Sequence, residues 1–374
     1  MNTLTLVIFA ALPTVGLLNG PIYAPLLFGL AILQCVLRRG PLRRDPTLMA
    51  LAAGFAMLCW LSCLWSIVPG HSIAGAAQMT GVLAGALLVS ALPKPANLAA
   101  ATGCAVIAGS TLMVADRLSG SHLLHLVSGH GGATKYNRGI DYLTILLLPL
   151  IGTLLQQQRR RLAAATALAA IACVAEGRST TAWVALPGAA LVVALASRAP
   201  RLTARLIAIA VTAGAFVLPF ALRILSGIRP SLAPYIKESM LRRLEIWDYV
   251  SARIMERPLF GWGIWTSKSL PITSDELSHY VREHGEGIYP HNQWLELWVE
   301  TGAAGLLLAL AFVLVVLWRV PRLTPAMQPF AYAAFSLALM VSLTSFEITT
   351  DSWWAALAAC ALLFAVGKDV PDRE

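Results

Sequence analysis

What constrains this chain most is the succession of apolar runs that fills almost its whole length, broken only by short polar loops. A bilayer's hydrocarbon core of about 30 Å calls for roughly 20 apolar residues per helix, and runs approaching that length recur near 3–18, 22–37, 47–66, 73–92, 97–115, 140–156, 162–177, 180–197, 206–224, 302–318, 327–346 and 352–367. Only 13% of the residues are charged and 57% are hydrophobic, whereas a soluble domain carries about 25% charged residues. The pattern predicts an all-α fold, a polytopic transmembrane bundle of about twelve spans, with lipid as its solvent.

The formal net charge is +9, but the basic residues do not form a nucleic-acid patch. They fall in loops between runs: Arg38, Arg39, Arg43 and Arg44; Arg159, Arg160 and Arg161; Arg198, Arg201 and Arg205; Arg319 and Arg322. With a cytoplasmic N-terminus every even-numbered run ends in the cytoplasm, and all four clusters, Lys94 and the C-terminal tail fall on that side, as the positive-inside rule requires. The N-terminal run lacks a basic leader and is followed at once by a second run, so it is expected to be the first span. The six cysteines lie inside apolar stretches without metal-site spacing and read as packing residues.

The same orientation places two longer loops outside, at about 116–138 and about 225–301, within a single membrane domain spanning 1–374. The second loop is the largest polar stretch and predicts a helical periplasmic cap. KESMLRRLEIWDYVSARIMERP has apolar residues at helical spacing up to Pro258. In HNQWLELWVETG, Asn292 is placed to cap a helix, whose free N–H groups would favour an anion, and Gly302 is placed to end it.

Several cations and one histidine in these regions carry candidate chemistry. Arg178, at the outer end of a run, is either a snorkelling arginine or an anion ligand facing a cavity. Arg242 and Arg243 are either a solvated helix face or part of a phosphate site. His291, between Pro290 and Asn292, is either an interfacial histidine or a general base or phosphate donor. Lys135 and Arg138 can form an anion-binding edge, although Arg138 equally suits an interface anchor. His122, His125 and His130 lack accompanying carboxylates, which argues against a metal. There is no GxxxxGK[ST], HExxH or GxSxG, and the outer loops have no Asp-x-Asp pair. A pyrophosphate handled here would be neutralised by arginine, whose permanent charge and forked donors suit it.

Four segments together resemble the O-antigen ligase and polymerase superfamily. GRSTTAWVAL is similar to that family's Ser-Arg span, with Gly177 in place of the serine. RLEIWDYVSARIMERPLFGWG matches Arg-Leu-x-x-Trp followed by Pro-Leu-x-Gly-x-Gly, at Arg243, Trp247, Pro258, Gly261 and Gly263. PHNQWLELWVETGAAGLL matches His-Asn-x-x-Leu followed by Glu-x-Gly-x-x-Gly, at His291, Asn292, Leu295, Glu300, Gly302 and Gly305. LSCLWSIVPGHS resembles the early Trp-Ser-x-x-Pro turn. YNRGIDYLTILLLP is similar to a variant associated with alphaproteobacterial polysaccharide ligases.

The resemblance implies a multi-pass protein of the bacterial inner membrane that transfers a glycan from undecaprenyl pyrophosphate to an acceptor hydroxyl at the periplasmic face, with inversion and without metal, ATP or other cofactor. The acceptor would be lipid A–core for a ligase, which is the favoured expectation, and another lipid-linked repeat for a polymerase; a lipid-linked sugar flippase is the alternative of a different class. Arg178 and Arg243 would hold the pyrophosphate and His291 would take the acceptor proton, with Glu296 or Glu300 as the alternative base. Arg242, Arg138, Lys135, Asn292, Trp247 and Glu300 would contact substrate.

Overall fold

The computed structural model describes residues 2–37, 45–128, 136–177, 179–228, 231, 234–236, 238–272 and 289–368. Each expected run corresponds to one helix: α1 (Asn2–Leu18), α2 (Tyr23–Leu37), α3 (Pro46–Ser62), α4 (Pro69–Val89), α5 (Leu98–Leu118), α7 (Tyr136–Gln156), α8 (Arg160–Glu176), α9 (Thr180–Arg198), α10 (Pro200–Gly227), α12 (Gln293–Leu317), α13 (Gln328–Ser342) and α14 (Asp351–Lys368). A short α6 (His122–Ser128) lies in the first long loop, and α11 (Glu238–Glu256) in the second, where the helical spacing ahead of Pro258 put it. No strand occurs among the described residues. Among the described residues, seven helices are long and apolar enough to cross a membrane, and α1, α3, α13 and α14 are shorter apolar helices. The protein is a polytopic helical membrane protein.

α7 is the axis of the bundle. Its sides are buried almost all round, from Tyr136 to Leu154, and it packs against α1, α5, α8, α9, α13 and α14. α9 and α10 bury few of their residues, and Leu191, Ile209 and Phe220 are exposed, as expected of faces turned to lipid. A second apolar core joins α3, α4, α10, α11 and α12 to the segment 262–270.

The connections sort the two ends of the bundle. Asp45, which caps α3 by accepting from Thr47 and Leu48 N–H, pairs with Arg319 just past α12, and Gln156 at the end of α7 reaches Thr324 ahead of α13 at 3.2 Å. The basic clusters at 159–161 and 319–322 therefore lie at this end. At the opposite end lie the starts of α4, α7, α9 and α12, the loop after α13, and α11.

That opposite end is held by main chain bonded to main chain. Where the sequence placed a helix end at Gly302, the structure has a kink: the residue sits at φ 68, ψ −167, and the helix resumes beyond it. The break lets the segment after α11 add to α12. Trp262 and Gly263 N–H donate to Val299 and Glu300 carbonyls, both at 2.9 Å, and Ala303 and Ala304 N–H donate to Pro258 and Leu259 carbonyls at 2.8 and 3.2 Å. Gly302 and Gly261 face each other, both at positive φ, and a Cβ on Gly302 would run into the Leu259 carbonyl. Trp65 Nε1 donates to Phe260 O at 3.0 Å, and Ile264 N–H to Ser62 Oγ at 3.0 Å. Three sequence motifs far apart in the chain thus form one knot. Gly302→Ala adds both a forbidden φ and a clash, and we expect it to cost about 1–3 kcal/mol or more, read as a lowered melting temperature in detergent.

Candidate functional site

The site assembles where the two apolar cores meet. α11 supplies Arg243 and Trp247, which share a helix face at i, i+4 spacing. Trp247 is buried, and its Nε1 donates to Pro290 O at 2.6 Å, fastening the helix that carries Arg243 to the residue before His291. Arg243 Nη1 donates to Thr344 O at 3.1 Å in the loop between α13 and α14. Arg242, one residue earlier, turns away and pairs with Glu238 at 3.1 Å.

His291 lies in the left-handed region at φ 50, a conformation that costs a non-glycine residue about 1–2 kcal/mol. It is held there from both sides, by the Trp247 bond to Pro290 and by the cap at Asn292. Asn292 is buried, and its Oδ1 accepts from Trp294 and Leu295 N–H at 3.1 and 3.2 Å. The expected cap is present, but it consumes the very N–H groups that would otherwise have attracted an anion. The Tyr289 ring meets the His291 ring edge-on at 4.3 Å between centroids.

The electrostatics converge on His291. Burial, then the positive charges of Arg243, Arg138 and Lys268, push its imidazolium down to about 4. Burial also drives the Tyr289 phenol well above its ordinary range. Arg243 is lowered by burial, which the neighbouring Tyr289 and Asp141 oppose. The guanidinium stays charged, so the site is a cluster of cations around a neutral imidazole.

Of the other expected residues, Arg138 is exposed at the start of α7 and contributes its charge to this cluster. Glu300 is fully buried, and its two oxygens accept from Trp265 N–H at 2.9 Å and Ser267 N–H at 3.1 Å. Glu296, also fully buried, accepts from Ile348 N–H at 2.8 Å. Glu300 holds main chain through both oxygens, whereas Glu296 does so through Oε2 alone and its Oε1 is buried without a hydrogen-bond partner among the described residues. Arg178 and Lys135 lie outside the described residues.

Residues that sequence reasoning missed complete the arrangement. Asp141 on α7 is buried and accepts from Ser179 Oγ at 2.6 Å, with the Ser345 side chain as a second hydrogen-bonding partner and Arg243 as the charge it faces. Ser179 also caps α9 through Ala182 N–H, and Thr181 bonds Thr344 and Ser345, both at 3.1 Å. Asp141 thereby links α7, α9 and the loop whose carbonyl anchors Arg243. A carboxylate just inside an apolar run was the available signal. Lys268 and Glu347, paired at 2.7 Å, sit in loops without periodicity and gave none.

Fold and site together define a multi-pass helical membrane protein with a cationic, histidine-centred cluster at one end of its bundle. Residues 164–310, which contain Arg243, His291 and the knot's two segments at 258–263 and 299–304, match the family model described as O-antigen ligase. A Rickettsia felis protein named "Putative polysaccharide ligase" is 24% identical over 326 residues, covering 85% of this chain and 80% of the relative. Similarly named proteins of Rickettsia typhi and Rickettsia conorii are 23% identical over 307 residues (80% and 75% covered) and 29% over 137 residues (36% and 33% covered). These likenesses support a member of the O-antigen ligase superfamily.

Asp141→Asn keeps the shape but removes the charge opposite Arg243. We expect a folded protein with unchanged melting and roughly a tenfold or greater loss of activity, in line with the loss of a charge-assisted contact; full activity in that variant would show that Asp141 does not set the arginine.

Proposed function

We propose that this protein is a membrane glycosyltransferase that moves a glycan from undecaprenyl pyrophosphate to an acceptor hydroxyl at the periplasmic face of the bacterial inner membrane, as a ligase. The observation that carries this reading is the convergence of Arg243, Arg138 and Lys268 on a neutral His291, in a chain whose residues 164–310 match the O-antigen ligase family model. The names of the Rickettsia relatives favour joining of polysaccharide over movement of lipid-linked sugar. The basic clusters gathered at the end opposite the site support cytoplasmic termini and a site on the far face. On this reading residues 1–374 form one membrane domain and 225–301 its periplasmic cap.

Arg243 neutralises the pyrophosphate as its bond to the anomeric carbon lengthens, because preorganised cations stabilise charge where it develops. Arg178 is assigned as the second phosphate ligand from the family resemblance. The acceptor oxygen attacks the anomeric carbon from the opposite side, the C–O bond to phosphate breaks with its electron pair, and the acceptor proton passes to His291. Its depressed pKa leaves the imidazole free to accept that hydrogen. Bound pyrophosphate cancels the surrounding positive charge, so the imidazolium is better tolerated when donor is present than when the site is empty.

The decisive experiment combines the purified protein in detergent with a defined undecaprenyl-pyrophosphate glycan and candidate acceptors, without added ATP or metal. Glycan joined to lipid A–core supports the ligase; lengthened lipid-linked glycan makes the protein a polymerase; donor left intact with every acceptor ends the proposal. Arg243→Lys keeps charge but loses the fork, and His291→Ala loses the base; we expect each to reduce transfer on the order of 10²-fold or more with the protein still accumulating.

The pH dependence carries its own sign. A histidine whose pKa is depressed stays neutral, and active, to lower pH than an ordinary one. The acid limb of kcat/KM for the donor, which reports the free enzyme, is therefore expected near pH 4. The acid limb of kcat, which reports the donor complex, is expected at higher pH, because pyrophosphate offsets the cations. Coincident limbs near the ordinary histidine value would contradict the charge arrangement.

A further inference from the structure

α12 carries two fully buried glutamates one helical turn apart, and each braces a different loop. Glu300 holds the main chain of Trp265 and Ser267, and the loop it holds presents Lys268 from the short turn Ser267–Ser269. Glu296 holds the main chain of Ile348, and that loop presents Glu347, whose carbonyl is fixed further by Gln293 Nε2 at 2.9 Å. The side chains of Lys268 and Glu347 then meet at 2.7 Å, with 44% and 24% of their surfaces still exposed.

This ion pair has little left to hold, because both of its backbones are already fixed by buried carboxylates. It is also half in water, where such pairs contribute little. Its position is the informative part. Lys268 Nζ lies 5.5 Å from the centroid of the Tyr289 ring, which packs on His291, and its charge is one of the three that keep the imidazole neutral. Beside it, the Tyr289 hydroxyl is buried with no hydrogen-bond partner among the described residues.

We propose that Lys268 is a further cationic ligand for the donor's diphosphate, parked on Glu347 while the site is empty and transferred to the phosphate when donor enters. The inference rests on the reading above that the donor is a lipid-linked diphosphate. A lysine suits the task, being a compact charge on a flexible stem, while its main chain stays braced by Glu300. A diphosphate presents more negative charge than one carboxylate and can compete for the ammonium. Glu347, partly exposed, is left in contact with solvent and not as a buried unpaired charge. The free Tyr289 hydroxyl supplies a donor for the same phosphate.

The test measures binding of undecaprenyl diphosphate to the purified full-length protein, with undecaprenol as the uncharged control and melting temperature recorded for every variant. Lys268→Met is expected to weaken diphosphate binding about tenfold, as loss of a charge-assisted phosphate contact does, without changing undecaprenol binding. Lys268→Arg is expected to keep most of the affinity. Glu347→Gln frees the lysine and is expected to bind diphosphate as tightly as the wild type or more so. The exchanged pair, K268E with E347K, is expected to melt like the wild type but to bind diphosphate weakly. Wild-type affinity in Lys268→Met or in the exchanged pair would overturn the proposal while leaving the transferase reading intact. A wild type that binds undecaprenol and its diphosphate equally would overturn both.

Discussion

The break at Gly302 is the constraint on which the rest of this structure depends. A continuous α12 would satisfy its own main chain and offer nothing to a neighbour. With the helix interrupted, the Val299 and Glu300 carbonyls and the Ala303 and Ala304 N–H groups turn outward and are taken up by residues 258–263. In a membrane protein such groups must find partners, since unpaired main-chain polar groups in an apolar setting cost several kcal/mol each. The break therefore dictates where the segment after α11 lies, and α11 in turn delivers Arg243. The Trp65 and Ser62 bonds extend the same knot to α3, so the cap is fastened to the bundle at positions set by glycine stereochemistry as much as by apolar contact.

Burial of carboxylates follows the same logic. Glu296 and Glu300 have no exposed surface, a position that is costly for a charged group unless hydrogen bonds replace its water. Main-chain N–H groups of Trp265, Ser267 and Ile348 do so. Glu300 is thereby secured through both oxygens, while Glu296 is secured through Oε2 and keeps a buried Oε1 without a partner among the described residues; Lys268 and Glu347 sit just beyond the braced main chain. Rigid supports with a mobile charged tip are what a site needs if it must stay assembled when empty and still close on an anion.

How much of this was legible in the sequence follows from the range of each signal. The twelve helices were legible because the bilayer demands long apolar runs, and α11 because its periodicity is local. Asn292 was recognisable as a cap and Gly302 as a break, although a glycine within an apolar run does not say whether the helix ends or resumes. The association of Arg243 with His291 came through family motifs, since nothing local brings residues 243 and 291 together; the structure does so through Trp247 and Pro290. Asp141, Lys268 and Glu347 come from three segments with no shared pattern, and their meeting is a product of tertiary packing alone. Glu300 shows the converse: its motif marked it as important, but only the structure shows that both its oxygens serve the main chain.

The charge balance of the empty site explains how such a cluster of cations persists in a largely apolar molecule. Arg243 is not left bare: it donates to the Thr344 carbonyl and faces Asp141, itself secured by Ser179. Lys268 rests on Glu347. Arg138, which has more access to solvent, lies at the start of α7. The imidazole of His291, buried among these cations, responds in the way the surroundings require, by remaining neutral. The framework thus supplies partial compensation: Arg243 and Lys268 have carboxylates beside them, and the imidazole stays neutral among the positive charge that remains.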